Sequence, residues 1–203
     1  GIMMPYTKPY YLEFMERLGY SSVKELLAYE YDSGGVVPEY LTRLGQRGQE
    51  RSGVTIRTLD MKNFEAEVSR AFRVYNSAWS NNWGFVPMTE AEFRFAAKGM
   101  KMLIDPALAL VAEKDGQAVG FAMALPDYNP VLKKLRGHLW PLGWARLLWS
   151  KRRLPKVRVV VLGVLEEYRR RSIDILLYHA CFLNGMPHGY TQCECSWILE
   201  ENR

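Results

Sequence analysis

Cysteines are few in this sequence, and long hydrophobic runs and a leader-like start are missing. The three cysteines among 203 residues lie too late in the chain for a disulfide framework, and Cys193 and Cys195 lack the further Cys and His spacing of a zinc site. No apolar run approaches the roughly 20 residues that cross a bilayer, and the first residues lack the basic-then-apolar order of a signal peptide. We therefore expect a cytoplasmic protein without a bound metal.

Acidic residues are absent from one long segment. Tyr128 to Leu165 contains no Asp or Glu, whereas Lys133 to Arg158 holds nine of the 27 Lys and Arg residues. The other 18 basic residues are outnumbered by 22 acidic ones, so the net charge of +5 comes from this segment. A local cationic surface on an otherwise acidic body predicts an anionic ligand or partner for that face.

The overall composition is that of a globular protein. Hydrophobic residues make up 48% and charged residues 24% of a chain long enough for one full core plus an appendage. We predict a helix and then a strand in residues 1–32, and a linker in the Gly-rich and charged residues 33–53. The main domain is predicted to span residues 54–203.

Hydrophobic periodicity predicts the elements of the main domain. Their order is strand, helix, helix, strand, strand, strand, helix, strand. Asp115 and Gly116, between two apolar runs, predict a hairpin turn. The run Val157 to Leu165 is so apolar that both of its faces must be covered, so it is the predicted central strand.

Three consecutive arginines follow this central strand and precede a predicted helix that begins at Ile173. The first turn of a helix offers free backbone N–H groups and the positive end of the helix dipole. Arg169, Arg170 and Arg171 add charge and several donors, which suit a phosphate and best a diphosphate. A solvated charge cluster is the alternative interpretation of the local pattern.

These residues resemble the loop of the GCN5-related N-acetyltransferases (GNAT), in which the fourth strand leads into a Q/R-x-x-G-x-G/A sequence around the pyrophosphate of coenzyme A. In the segment R-R-R-S-I-D, Arg169 takes the Q/R place, Ser172 the first glycine place and Asp174 the last place. The Ser172 hydroxyl is then free to cap the helix, whereas the Asp174 carboxylate brings negative charge to the diphosphate site. The resemblance covers residues 54–203 and implies an α/β (α+β) fold with a mixed central sheet flanked by helices.

The resemblance also implies where acetyl-CoA, or a longer acyl-CoA, binds. Backbone groups of the fourth strand contact the pantetheine arm and the thioester oxygen, with Gly163 at a bulge. Asn202 matches a place where the family often has an asparagine near the cofactor, but the usual tyrosine after it has no counterpart. The implied cofactor-binding residues are Leu162, Gly163, Val164, Arg169, Arg170, Arg171, Ser172, Ile173, Asp174 and Asn202.

Glu194 and Ser196 are the predicted catalytic residues. They point to one side of the last strand, and Cys193, Cys195 and Trp197 point to the other. In the family an amine attacks the thioester directly, which needs a base for the incoming ammonium and an acid for the leaving thiolate. Glu194 is the candidate base, and an ordinary solvent-facing glutamate is the alternative. The implied function is N-acylation of a small-molecule amine.

Residues 1–32 also resemble part of the family's fold. Their helix, glycine, tyrosine and strand are similar to the end of a GNAT-like module, which suggests the tail of a preceding module. In a second interpretation the same segment completes the open edge of this sheet, within the chain or by exchange in a homodimer.

Trp and Leu residues mix with cations in residues 133–156, which we call the basic insert. We expect an amphipathic, partly helical segment whose Trp face packs on the sheet, or contacts a membrane interface or a lipid-like acyl chain. No nucleic-acid-binding motif accompanies the charge, so no nucleic-acid partner is expected. A non-catalytic GNAT-like module that binds an anionic partner or membrane through this insert is the alternative to an enzyme.

Overall fold

The structure, a computed structural model, describes residues 6–136, 138–150 and 153–201. Within these ranges it contains seven α-helices and one six-stranded sheet. The helices are α1 (Tyr10–Arg17), α2 (Glu39–Ser52), α3 (Phe64–Ala78), α4 (Glu90–Met100), α5 (Asn129–Leu135), α6 (Gly143–Ser150) and α7 (Ile173–Gly185). The strands are β1 (Leu26–Asp32), β2 (Thr55–Thr58), β3 (Ala109–Lys114), β4 (Gln117–Pro126), β5 (Lys156–Val164) and β6 (Gln192–Leu199).

The sheet has the order β1-β6-β5-β4-β3-β2. β5 and β6 run parallel, and the other neighbouring strands run antiparallel. The hairpin between β3 and β4 turns at Asp115 and Gly116, whose φ angles of 51° and 75° are left-handed. The predicted fold, a mixed sheet with helices on its faces and the apolar run at its centre, is confirmed.

Helices cover both faces of the sheet. α3 and α4 lie on one face, and α4 begins with a capping box between Thr89 and Glu92. α7 covers the other face and places Ile173 and Leu177 in the core. The buried residues of α3 recur every three or four positions: Phe64, Glu67, Val68, Ala71, Val74 and Ala78.

The segment predicted as a linker, residues 33–53, contains helix α2, which packs along α7. The buried residues of α2 are Leu41, Gly45, Gly48 and Ser52. A Cβ atom at Gly45 would lie 2.4 Å from Nδ1 of His179, and one at Gly48 would lie 3.3 Å from the Ser172 carbonyl oxygen. The contact therefore depends on small residues, which allow the two helices to approach closely.

The N-terminal segment adds an edge strand to this sheet. β1 pairs antiparallel with β6 of the same chain, from Leu26 opposite Leu199 to Asp32 opposite Gln192. α1 precedes it and buries none of its residues. In the described part of the chain, no helix combines the length and the apolar character that crossing a bilayer requires.

Candidate active site

β5 and β6 are paired over only part of their length. Their parallel register ends at Val159 opposite Cys195, although both strands continue. The β4–β5 register is irregular between Met123 and Ala124, which leaves Val160 as an extra residue in β5. Such a bulge bends a strand, so the two strands diverge here. We call this divergence, after Val159 and Cys195, the fork.

Gly163 lies beyond the bulge and pairs in regular register with Phe121. The predicted bulge at Gly163 is therefore wrong, because the extra residue is Val160. The ring of Trp79 is what requires glycine here, since a Cβ atom on Gly163 would lie 2.4 Å from two of the ring carbons. Trp79 directly follows α3, so this contact sets the end of α3 against β5.

A pocket of about 560 Å³ lies between the end of α3, the last residues of β5 and the first turn of α7. Its lining includes predicted cofactor-binding residues: Leu162, Gly163, Val164, Arg169, Arg170, Ser172, Ile173 and Asp174. Arg171 is not among the lining residues, and its guanidinium carbon lies 5.1 Å from the ring centre of Tyr168. Asn202 lies outside the described residues. We call this space the polar pocket.

Arg169, Arg170 and Arg171 lie in the loop before α7, which we call the arginine loop. It enters α7 through two left-handed residues, Arg170 with a φ of 62° and Ser172 with a φ of 61°. Ser172 is the N-cap residue of α7, but its side chain makes no capping hydrogen bond. The expected cap is not formed, because a capping side chain normally extends from a β-region backbone. Arg169 donates from Nη2 to the carbonyl oxygen of Ala78 and thereby ties the loop to α3.

Asp174 lies in the first turn of α7 and lines the polar pocket. A carboxylate there interacts favourably with the helix dipole. Within the described ranges it forms no ion pair with an arginine, so its charge is not neutralised by the loop. A bound diphosphate would therefore be attracted by Arg169 and Arg170 and repelled by Asp174.

Glu194 and Ser196 lie where the fork begins, on either side of Cys195, the last residue of β6 that pairs with β5. The Ser196 hydroxyl donates to Oε1 of Glu194 at 2.7 Å and accepts from Nε of Arg158 at 3.0 Å. Arg158 and Lys156 each place a nitrogen 3.5 Å from a carboxylate oxygen of Glu194. Ser196 is buried and Glu194 is half-buried, so this cluster is more enclosed than an ordinary surface glutamate.

Trp79 and Tyr178 line the polar pocket although the sequence did not single them out. Burial raises the pKa of Tyr178 well above that of a free tyrosine, so its phenol stays protonated and is a hydrogen-bond donor. Tyr178 follows Asp174 by four residues, which places both on one face of α7. That spacing is a signal from which Tyr178 could have been found. No three His, Cys, Asp or Glu side chains are arranged to hold a metal ion in the part of the chain described.

The chain has the fold of the GCN5-related N-acetyltransferases. A GCN5-related N-acetyltransferase from Sphaerobacter thermophilus superposes with a TM-score of 0.65 at 18% identity, over 97% of this chain and 49% of that one. The GCN5-related glucosamine N-acetyltransferase region of a fungal multi-domain GH3 β-N-acetylglucosaminidase gives a TM-score of 0.57 at 13% identity, over 93% of this chain and 20% of that one. The resemblance drawn from the arginine loop is thus confirmed for the fold.

Two curated proteins share a higher sequence identity with the chain. Bacterial ceramide synthase of Caulobacter vibrioides is 38% identical over 195 residues, which cover 93% of this chain and 50% of that protein. Protein YghO of Escherichia coli is 35% identical over 207 residues, which cover 98% of this chain and 53% of that protein. The chain therefore spans about half the length of these relatives. No protein-family model matches it.

Proposed function

We propose that the chain catalyses acyl transfer from an acyl-CoA, acetyl-CoA or a longer one, to the nitrogen of an amine. The observation that carries this proposal is the fork, which opens beside a polar pocket lined by arginines and the start of a helix. The amine nitrogen attacks the thioester carbon, a C–N bond forms, and the C–S bond breaks. The ammonium gives one proton to a base before the attack, and the second proton that leaves the nitrogen after the attack balances the one that the departing thiolate takes up.

Residues at different positions of the site are proposed to serve different parts of this reaction. Backbone groups of β5 beyond Val160 face the gap and suit the pantetheine arm and the thioester oxygen. Arg169, Arg170 and the first N–H groups of α7 suit the diphosphate. Glu194 at the fork is the proposed base, and Ser196 holds its carboxylate by the hydrogen bond to Oε1. A ligand at the polar pocket would also meet the protonated phenol of Tyr178.

The similarity to bacterial ceramide synthase supports a lipid amine as the acceptor. A ceramide is the amide of a fatty acid and a long-chain amino alcohol, so its synthesis joins an acyl group to an amine nitrogen. The reaction proposed here forms the same kind of amide bond. We therefore propose a long-chain amino alcohol as the acceptor class.

Titration of acetyl-CoA into the purified chain tests the polar pocket. Wild-type protein is expected to bind it, and Arg170→Ala is expected to weaken binding about tenfold, because a charge-assisted hydrogen bond is worth about 1.5 kcal/mol or more. Asp174→Asn is expected to strengthen binding a few-fold by removing a repulsive charge. Arg171→Ala, outside the pocket, is the matched control. Absence of binding to the wild-type chain would contradict the proposed function.

The basic insert supports a second proposal, contact with an anionic membrane surface. The expected packing of its Trp face on the sheet is wrong, since Trp140 and Trp149 are 84% and 78% exposed. The opposite side of α6 packs inward through Leu147, against a cluster that contains Tyr128. Exposed Trp side chains among Lys and Arg, in a segment without acidic residues, suit the interface of a bilayer that carries negative charge.

Vesicle sedimentation tests this surface. Binding to vesicles that contain phosphatidylglycerol is expected to fall about tenfold or more when Trp140 and Trp149 are both replaced by alanine, since each ring buries apolar area. Binding is also expected to weaken as salt rises. Trp83→Ala removes another exposed Trp outside the insert and is the control. Equal binding by the double variant and the wild-type chain would contradict the proposal.

A further inference from the structure

A second cavity, of about 200 Å³, lies between α3, α4 and the sheet. Its wall is formed mainly by hydrophobic side chains of α3, α4 and the strands β3, β4 and β5. The carboxylate that reaches it, from Glu67, is paired with Arg57 and Arg70. A smaller apolar cavity, of about 150 Å³, is known to stay dry and bind benzene. We call this space the apolar cavity.

The apolar cavity and the polar pocket follow one another along β5. Val160 and Val161 line the cavity, and the next residue, Leu162, lines the pocket. On α3, Tyr75 lines the cavity and Trp79, one turn later, lines the pocket, with 5.0 Å between the two ring centroids. The two aromatic rings therefore stand at the boundary between the two spaces, close to the fork.

We propose that the apolar cavity binds a hydrocarbon chain of the substrate. The inference rests on the proposed acyl transfer, because it takes the thioester to lie at the fork between the two spaces. A group attached to that thioester on the side away from the coenzyme then faces an apolar wall, where a charged or polar group would lose its hydration. This hydrocarbon chain belongs either to the acyl donor or to the lipid amine, since both contain a long alkyl group.

Filling the cavity tests this inference. Ala97 of α4 is buried and lines the cavity, so Ala97→Leu places three more carbon atoms in it. Ala91→Leu makes the same change at an exposed position of the same helix and is the control. The probes are acetyl-CoA, octanoyl-CoA and palmitoyl-CoA in one arm, and a long-chain amino alcohol without coenzyme in the other.

The wild-type chain is expected to bind octanoyl-CoA at least about 100-fold more tightly than acetyl-CoA, because each buried methylene contributes about fourfold. Ala97→Leu is expected to reduce this preference about tenfold or more and to leave acetyl-CoA affinity unchanged. If only binding of the amino alcohol is weakened by Ala97→Leu, the chain in the cavity belongs to the acceptor, and the inference still stands.

Two results would overturn the inference. One is acetyl-CoA binding without any gain from a longer acyl chain, together with amino alcohol binding that Ala97→Leu does not weaken. The other is an equal loss of chain-length preference in Ala97→Leu and Ala91→Leu, which would mean that the chain binds elsewhere on the protein. Failure of the proposed function gives a different result, because then no coenzyme ester binds to the wild-type chain.

Discussion

Replacing Glu67 by glutamine is expected to lower the free energy of unfolding by about 3 kcal/mol or more, because it breaks a buried ion-pair network. Glu67 is 1% exposed, and Arg57 donates to both of its carboxylate oxygens, at 3.0 and 3.2 Å. Arg70 donates to Oε1 as well. Glutamine keeps the shape but removes the charge, which leaves two arginines with Glu113 as the remaining carboxylate of the network.

Glu113 is the second anion of this network. Arg57 donates to it at 2.6 Å, and this hydrogen bond holds the pKa of Glu113 below the ordinary value of 4.5. Within the described ranges Glu113 forms an ion pair with Arg57 and none with Arg70, so it does not replace the direct contact that Arg70 loses. The cost of Glu67→Gln therefore includes one poorly compensated cation at the edge of the core.

The matched control is Glu65→Gln on the same helix. Glu65 is 60% exposed and pairs with Arg94 at 2.8 Å, so its loss is expected to cost less than about 1 kcal/mol. Urea unfolding followed by circular dichroism measures both variants, and unchanged slopes show that the midpoints report stability. Similar midpoints for the two variants would mean that the buried network adds nothing beyond a surface pair.

Most elements of the sheet were predictable because their side chains repeat. The strand around Val157 to Leu165 carries an apolar run that Arg158 alone interrupts with a charge, and α3 repeats its buried residues at helical spacing. The β3–β4 turn was predictable for a different reason, because Asp115 and Gly116 both tolerate left-handed backbones. Local patterns of this kind do not depend on contacts elsewhere in the chain.

α2 was not predictable in the same way. Its buried residues are Leu41, Gly45, Gly48 and Ser52, and the last three give no apolar periodicity and favour loops when the sequence is considered alone. The helix is favoured by a close contact with α7, which only small residues permit. Tertiary contact here outweighs local propensity, and a linker was the natural prediction from composition.

The candidate site was likewise predictable where its features are local in sequence, and not where they depend on contacts between distant residues. The arginine loop could be predicted because a strand, cations and a helix start are adjacent in sequence. The bulge at Val160 and the need for glycine at Gly163 could not, since one depends on the register with β4 and the other on the ring of Trp79. The polar pocket also gains Tyr178 from the face that α7 turns toward it.

Replacing Glu194 by glutamine is expected to slow acyl transfer by about 10²- to 10⁴-fold and to leave coenzyme binding unchanged. Glutamine keeps an oxygen that accepts from the Ser196 hydroxyl, so the packing at the fork is preserved. What it loses is the ability to take a proton from the attacking ammonium. The assay follows release of the coenzyme A thiol from palmitoyl-CoA in the presence of a long-chain amino alcohol.

The control for this experiment is Glu30→Gln. Glu30 lies opposite Glu194 on β1 and also pairs with Lys156. It is exposed, and the hydrogen bonds of the Ser196 side chain within the described residues are to Arg158 and Glu194. Its replacement is expected to change the rate little. An equal loss in both variants, or weaker coenzyme binding in Glu194→Gln, would mean that the carboxylate holds β6 in place instead of moving a proton.

The pH profile separates these roles further. An amine that is already deprotonated needs no base, so the deficit of Glu194→Gln should shrink as the pH rises toward the pKa of the acceptor ammonium. A carboxylate that only positions β6 would leave the deficit constant with pH. Because Glu194, Ser196 and Arg158 form one hydrogen-bonded cluster at the fork, the profile also tests whether the fork is where the amine reacts.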